Sequence, residues 1–163
     1  RLLTTSVRRI QILLGHYLAI FSLIFTQFMT LILFGQFFLN INYFRVAEAT
    51  FLVAFCAAAA ISAMGLLIGI LAQNEEQAIA FSLIPMFVLS AMGGAWVPLE
   101  FTGETFQIIG HISPVAWAMD GFKNISVRGF GFSSVIIPSL ALAAYAAFFF
   151  GLSLWRLNVA EEK

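Results

Sequence analysis

The stretch that decides the fold is Gly93–Gly129, which reads "GGAWVPLEFTGETFQIIGHISPVAWAMDGFKNISVRG". It contains two prolines, two tryptophans and five charged residues, and a long apolar segment both precedes and follows it. It is too polar to cross a lipid bilayer and too apolar for a loop that stands in water. We therefore expect a segment that lies at a membrane surface or dips into the membrane.

The composition of the whole chain is that of a membrane protein. Its 163 residues are 61% hydrophobic and only 10% charged, whereas soluble domains have about 45–50% apolar and about 25% charged residues. So few charges could not cover a globular surface in water. The formal net charge is zero, so nothing indicates a nucleic-acid partner.

Four apolar segments are long enough to cross a bilayer: 17–39, 47–72, 78–97 and 134–155. A hydrocarbon core of about 30 Å needs roughly 20 residues of helix. None of the four carries a charge in its central part, where one would cost roughly 2.5–3.5 kcal/mol. Because backbone groups in lipid must be bonded within their own segment, we predict four helices and an all-α membrane protein.

The basic residues predict the orientation. An even number of spans places both ends of the chain on one side of the membrane. That side carries five basic residues: Arg1, Arg8, Arg9, Arg156 and Lys163. The other side carries three: Arg45, Lys123 and Arg128. The excess predicts that the entry segment 1–16 and the tail 156–163 are cytoplasmic and that region 98–133 is external.

Small residues and a proline predict how the spans pack. Ser62, Gly65 and Gly69 recur at near-helical spacing in the second span, and such residues let helix backbones approach closely in lipid. We expect the Gly65–Gly69 pair to pack within the chain, with a contact between two subunits as the alternative. Pro85 lies midway along the third span and is predicted to kink that helix.

The external region reads as two short helices. Ser113 and Pro114 are typical of a helix start, with a serine cap followed by proline at the first helical position. The residues "PVAWAMDGFKNI" then predict about three amphipathic turns. A shorter half-apolar helix, "FTGETFQIIGHI", precedes them. We predict a re-entrant hairpin that protein buries, and the alternative is an interfacial loop anchored by Trp96 and Trp117.

Three blocks of the sequence resemble the permeases of type-2 ABC exporters. The family's passage from the coupling helix into the third span resembles "RLLTTSVRRIQILLGHYLA". The turn between spans four and five, together with span five, resembles "LIGILAQNEEQAIAFSLIPMFVLSAMGGAWVPLE". The re-entrant helix before span six resembles "HISPVAWAMDGFKNISVRG". The blocks occur in the family's order and cover nearly the whole chain, although His16 and Ser6 stand where the family often has lysine and proline.

The resemblance implies a transport subunit rather than an enzyme. The four spans would be spans 3–6 of a six-span permease, and the chain a C-terminal fragment of it, in a bacterial cell membrane. Two permeases, identical or different, would form the translocation path. Separate ATP-binding cassette subunits would hold ATP and Mg²⁺. The sequence contains no G-x-x-x-x-G-K-[ST] loop for phosphates, and no catalytic residue, metal site or cofactor of its own is expected.

The resemblance also implies two groups of functional residues. The candidates for contact with the ATPase are Arg8, Arg9, Glu75 and Glu76. The candidates for an external gate are Pro98, Glu100, Pro114, Trp117, Asp120, Gly121, Arg128 and Gly129. Asp120 and Lys123, three residues apart, could form a weak ion pair on the gate helix. Polar residues of the first span, such as Gln27 and Thr30, could line a substrate path or bond to other helices.

Two other classes of function are alternatives. An ion-gradient-driven transporter or channel usually has ionisable residues within its spans, and these spans lack them. A membrane-embedded enzyme needs catalytic groups that lie together, but Glu75, Glu76 and His111 are predicted to lie on opposite sides of the membrane. The cargo stays open between drugs, lipid-linked glycans, peptides and ions.

Overall fold

The computed structural model describes residues 9–159, and these residues form helices joined by short turns, with no β-strand among them. The α-helices are α1 (Arg9–Phe38), α2 (Ala47–Leu71), α3 (Glu75–Met92), α4 (Glu104–Gly110), α5 (Pro114–Ser126) and α6 (Ile136–Val159). Short 3-10 turns occur at Tyr43–Val46, Leu99–Phe101 and Phe132–Val135.

Four of these helical segments are long and apolar enough to cross a membrane. They are Ile10–Phe38, Tyr43–Leu71, Glu75–Met92 and Phe132–Leu157. The prediction of an all-α membrane protein with four spanning helices is confirmed. The positions at which the helices enter and leave the lipid stay predictions, as does the side on which the two ends lie.

The third spanning helix begins earlier and ends earlier than the predicted 78–97. It begins at Glu75 because the side chain of Asn74 accepts a hydrogen bond from the Gln77 backbone N–H at 2.8 Å and caps the helix. It ends at Met92 because the chain turns at Gly94, whose φ of +77° glycine adopts readily. The residues up to 97 therefore belong to the connection that leads to α4.

The core of the described chain lies around α2, which packs mainly against α1 and α6. Its buried face consists largely of alanines, among them Ala54, Ala57 and Ala58, each fully buried. Small side chains allow helix backbones to approach closely. The resulting van der Waals contacts hold helices together in lipid, where the hydrophobic effect does not drive their association. Leu142 of α6 is 1% exposed and packs against this face.

The small residues predicted to pack α2 lie in different surroundings: Ser62 is buried, whereas Gly65 and Gly69 have open space beside them. Ser62 is fully buried and donates a hydrogen bond to the Ala58 carbonyl. At Gly65 an added Cβ would meet only Ile20, at 4.0 Å, and at Gly69 it would meet nothing within 4 Å. No neighbouring helix in residues 9–159 makes use of the Gly65–Gly69 pair, so a contact with another subunit stays a prediction.

The helix α3 stands apart from the other spanning helices. None of its residues is buried, and its main contacts are with α2 and α5. Apolar side chains such as Ile84, which is 63% exposed, cover its surface. Pro85 lies inside the helix, and the kink predicted there stays a prediction. An apolar helix with so little cover is suited to contact lipid or another membrane subunit.

Candidate functional site

We call α4, the turn at residues 111–113 and α5 the hairpin, and its packing against α2 defines the candidate site. Near the end of α5, Ile125 packs with Ala49 and Val53 of α2. Near its start, Trp117 packs against a cluster that contains Ala57. The helix α5 therefore runs antiparallel to α2, beside the first half of that spanning helix.

A glycine brings α5 into contact with α2. Gly121 is buried, and a Cβ added to it would lie 2.8 Å from Cγ1 and 3.0 Å from Cγ2 of Val53. No real Cβ atom is found so close to another carbon, so only glycine allows this approach. The sequence predicted a role for Gly121 in the gate region but did not indicate its partner.

Two further glycines join the hairpin to the end of α3. A Cβ at Gly93 would lie 2.6 Å from the Cβ of Val115, and a Cβ at Gly110 would lie 2.7 Å from the carbonyl oxygen of Met92. Both glycines are buried. The C-terminal end of α3 is thus packed directly against both helices of the hairpin.

Hydrogen bonds hold the turn of the hairpin beside the spanning helices. The Tyr145 hydroxyl donates to the Ile112 carbonyl at 2.5 Å, and the Ser113 hydroxyl donates to the Leu89 carbonyl at 2.8 Å. Tyr145 lies nine residues after the start of α6, or about 14 Å along that helix. The turn therefore lies alongside α6 and not beyond its end, as the predicted re-entrant hairpin requires.

The start of α5 follows the sequence prediction. Ser113 caps the helix by accepting a hydrogen bond from the Val115 backbone N–H at 3.2 Å, and Pro114 occupies the first helical position. Burial of the hairpin is less complete than predicted. The face of α5 that meets α2 is buried, but α4 exposes Ile108 by 75% and Ile109 by 44%, since its main neighbour is the Leu99–Phe101 turn.

A contact between His111 and Asp120 joins the turn of the hairpin to α5. His111 Nε2 lies 2.8 Å from Asp120 Oδ2, and His111 Nδ1 lies 2.7 Å from the Gln107 carbonyl oxygen. The Trp117 indole N–H donates to the His111 carbonyl at 2.8 Å, and its ring meets the imidazole edge-on. These bonds fix the imidazole between α4 and α5.

A second charged group ties the preceding segment to α5. Glu100 accepts hydrogen bonds from Lys123 Nζ at 2.9 Å and from Arg128 Nη2 at 2.9 Å. The predicted Asp120–Lys123 pair does not form, because Asp120 faces His111 and Lys123 reaches Glu100. The pKa of Glu100 is lowered by the hydrogen bond from Lys123 and by a hydrogen bond from the Glu100 backbone. The slight burial of the carboxylate opposes this lowering, and the charges of Lys123 and Arg128 add to it.

The end of region 98–133 is joined to the loop between α1 and α2. The Arg45 guanidinium donates to the Gly129 carbonyl, and a Cβ at Gly129 would lie 2.7 Å from Arg45 Nη1. Gly129 has a φ of +65°, which favours glycine. Pro98 precedes the Leu99–Phe101 turn at the opposite end of the region.

A family model described as "ABC-2 family transporter protein" matches residues 1–155. The chain belongs to the ABC-2 family. It is 29% identical over 158 residues to the linearmycin resistance permease protein LnrN of Bacillus subtilis (strain 168), a match that covers 97% of this chain and 41% of LnrN. It is 25% identical over 164 residues to ABC transporter G family member 20 of Dictyostelium discoideum, covering 99% of this chain and 22% of that protein.

The ABC-2 chain thus spans less than half the length of these two relatives. No solved structure matches it. Family membership accords with the four spanning helices and with the resemblance seen in the sequence.

Two of the predicted ATPase-contact residues of this ABC-2 chain, Glu75 and Glu76, lie far from the hairpin. Glu75 and Glu76 are exposed in the first turn of α3, at the end of that helix remote from Gly93. Arg8 lies outside the described residues, and so does the side chain of Arg9. Contact of these four residues with an ATPase stays a prediction.

A groove of about 470 Å³ lies between α3 and the other helices of the ABC-2 chain. Its walls are almost entirely apolar and come from α1, α2, α3, α5 and α6, including Phe28, Ala60, Pro85, Met119 and Leu142. A groove with such an apolar lining favours hydrocarbon groups over polar ones. The polar residues of α1 do not face it: Thr26 and Thr30 lie on the exposed side of α1 and bond to carbonyls of their own helix.

Sequence reasoning missed two residues of the site. Arg45 was read only as a topology signal, and no partner within the hairpin was predicted for His111. Asp120 follows His111 by nine residues across a helix start, so helical periodicity does not relate them. The local composition could have indicated the pair, because His111 and Asp120 are ionisable residues within a largely apolar stretch.

Proposed function

We propose that this chain is the membrane-spanning part of an ATP-driven ABC exporter, which forms the translocation path and works with separate ATPase subunits. Membership of the ABC-2 family supports this proposal. The observation that carries it is the arrangement of four apolar helices with a hairpin held between the third and the fourth. ATP and Mg²⁺ would be bound by the ATPase partners.

We place the hairpin outside the cell and both ends of the chain in the cytoplasm. The distribution of basic residues supports this orientation. The ATPases would then meet the cytoplasmic ends of the spanning helices, near Arg8, Arg9, Glu75 and Glu76. ATP-driven closure of those subunits would move these ends, and α3 would tilt as a nearly rigid body.

The packing of α3 supports such a transmission. The helix is buried nowhere, so it can shift relative to α2 and α6. Its outer end packs against the hairpin through Gly93 and Gly110. A tilt of α3 would therefore move the hairpin, which acts as the external gate of the path in this proposal.

A second permease subunit, identical or different, would complete the path. This second subunit would pack against the exposed apolar surface of α3 and against the Gly65–Gly69 pair of α2. We expect the cargo to be an apolar or amphiphilic compound. The apolar groove supports this class, and the relative LnrN is named for resistance to linearmycin.

The experiment uses the full-length permease with its ATPase subunits in inverted membrane vesicles and follows a fluorescent amphiphile. Uptake into the vesicles should require ATP. It should stop when the P-loop lysine of the ATPase is replaced by alanine, because that lysine holds the phosphates. Uptake that a proton gradient drives without ATP would indicate the ion-gradient alternative. Covalent conversion of the amphiphile by the permease alone would indicate an enzyme.

A further inference from the structure

Both nitrogens of the His111 ring face hydrogen-bond acceptors. The acceptor near Nδ1 is the Gln107 carbonyl oxygen of α4, at 2.7 Å, and the acceptor near Nε2 is the Asp120 carboxylate of α5, at 2.8 Å. A neutral imidazole carries one N–H and can donate only once, whereas an imidazolium donates from both nitrogens. With Asp120 ionised, only the charged ring satisfies both contacts.

We propose that His111 is a protonation-dependent positioning residue, whose imidazolium form ties α4 to α5 at the turn of the hairpin. When the ring loses its proton, one of the two bonds is lost and a lone pair then faces an acceptor. The hairpin therefore has a tight state with the proton and a looser state without it. The consequence for export rests on the proposed gate, but the protonation state of His111 does not.

Among the side chains that the structure describes, Asp120 is the charged partner of His111. From α6, the Tyr145 hydroxyl is engaged with the carbonyl of the adjacent Ile112. Glu100, Lys123 and Arg128 are bonded to one another. At the outer end of α3, the contact with the turn is made by a backbone carbonyl. Glu104 is the remaining acid of α4 and stands at the start of that helix.

The direction of the pKa shift agrees with this geometry. Partial burial lowers the pKa of His111, but the hydrogen bond to the Gln107 carbonyl and the hydrogen bond and charge of Asp120 raise it by more, so the pKa lies above its ordinary value of 6.5. A raised pKa means that the bonds stabilise the hairpin fully at pH values below 6.5 and less as the pH rises through the higher value. Acid on the external side should thus hold the hairpin tight.

The first test is the titration of His111 in the full-length permease with its ATPase subunits in lipid, followed by ¹⁵N NMR of labelled histidine. The variant His111→Gln identifies the signal. Both ring nitrogens should be protonated at pH 6.0, and Asp120→Asn should lower the pKa by roughly one unit or more. The matched control is His16→Gln, since the hydrogen bond of the His16 ring within the described residues is to the carbonyl of Ile12 on its own helix, and it should leave the His111 titration unchanged.

A neutral His111 ring at pH 6.0 in the unaltered protein would overturn the proposal, as would an unchanged pKa in a folded Asp120→Asn variant. The second test is amide hydrogen exchange of α4, corrected for the intrinsic effect of pH. Exchange should rise between pH 6.0 and pH 8.5 in the unaltered protein and not in His111→Gln. Equal pH responses would also overturn the proposal. Neither test requires transport, so a failure of the proposed function is distinguishable from a failure of this inference.

Discussion

Gly121 of α5 lies directly against Val53 of α2, at a distance that leaves no room for even one methyl group. This contact sets how closely the hairpin approaches the central spanning helix. Because α5 is also packed against α6 and against the end of α3, the same contact fixes the position of the proposed gate relative to three helices.

We expect Gly121→Ala to displace α5 and destabilise the protein by about 1–3 kcal/mol, the usual effect of overpacking. Thermal unfolding of the full-length permease in detergent measures this change. The matched control is Gly131→Ala, since a Cβ at Gly131 meets nothing within 4 Å. The double variant Val53→Ala with Gly121→Ala should recover part of the loss, because the smaller side chain makes room for the new methyl group.

Removing the Tyr145 hydroxyl should loosen the turn of the hairpin. Tyr145→Phe removes the hydrogen bond to the Ile112 carbonyl, and such a bond contributes about 0.5–1.5 kcal/mol. Unfolding measurements and amide exchange at residues 111–113 would detect the change. Tyr43→Phe should have little effect, since within the described residues the Tyr43 ring packs near Gly35 and only backbone atoms of Tyr43 form hydrogen bonds. Equal effects of the two variants would contradict this role of Tyr145.

The Glu100 group should make stability dependent on acid. Its lowered pKa means that the ion pairs stabilise the hairpin above the ordinary carboxyl pKa and lose this effect as the pH falls through the lower folded value. Because Glu100 is 42% exposed, we expect Glu100→Gln to cost no more than about 1 kcal/mol. Glu104→Gln, a change of the same chemistry on α4, is the control. Unfolding midpoints measured between pH 3 and pH 7 should converge for Glu100→Gln and the unaltered protein at low pH only.

The orientation can be checked by labelling single cysteines in intact cells. In a full-length permease whose native cysteines, Cys56 among them, are replaced by alanine, a membrane-impermeant maleimide should react with Glu104→Cys. It should spare Glu75→Cys until the cells are opened, because the two positions lie at opposite ends of the membrane-crossing unit. Immunoblotting of a mass-tagged maleimide gives the measurement. The reverse pattern would place the hairpin in the cytoplasm and remove it as an external gate.

Local sequence signals accounted for most of the helices. The start of α5 at Pro114 follows from the Ser113 cap and the fixed φ of proline, both of which act within a few residues. The end of α3 was missed, since 78–97 is apolar throughout. An apolar run shows that a segment can lie in lipid, but it does not show where a glycine such as Gly94 turns the chain.

The partners within the hairpin required the tertiary structure. On one helix, spacing paired Asp120 with Lys123, but folding brings His111 across the turn and Glu100 from a preceding segment into reach. Similarly, the Gly65–Gly69 pattern indicated close packing on α2, whereas α2 is approached closely at Val53, by Gly121 of α5.

The sequence by itself determined that this chain forms four apolar helices and that a mixed, helix-forming segment separates the last two. Those properties follow from the solvation of each residue and from local backbone geometry, which neighbouring residues decide. Only the tertiary structure decided which charges meet and which glycines make contact. Such pairings depend on the relative depth and rotation of whole helices, and these are set by the summed packing of residues that are distant in the chain.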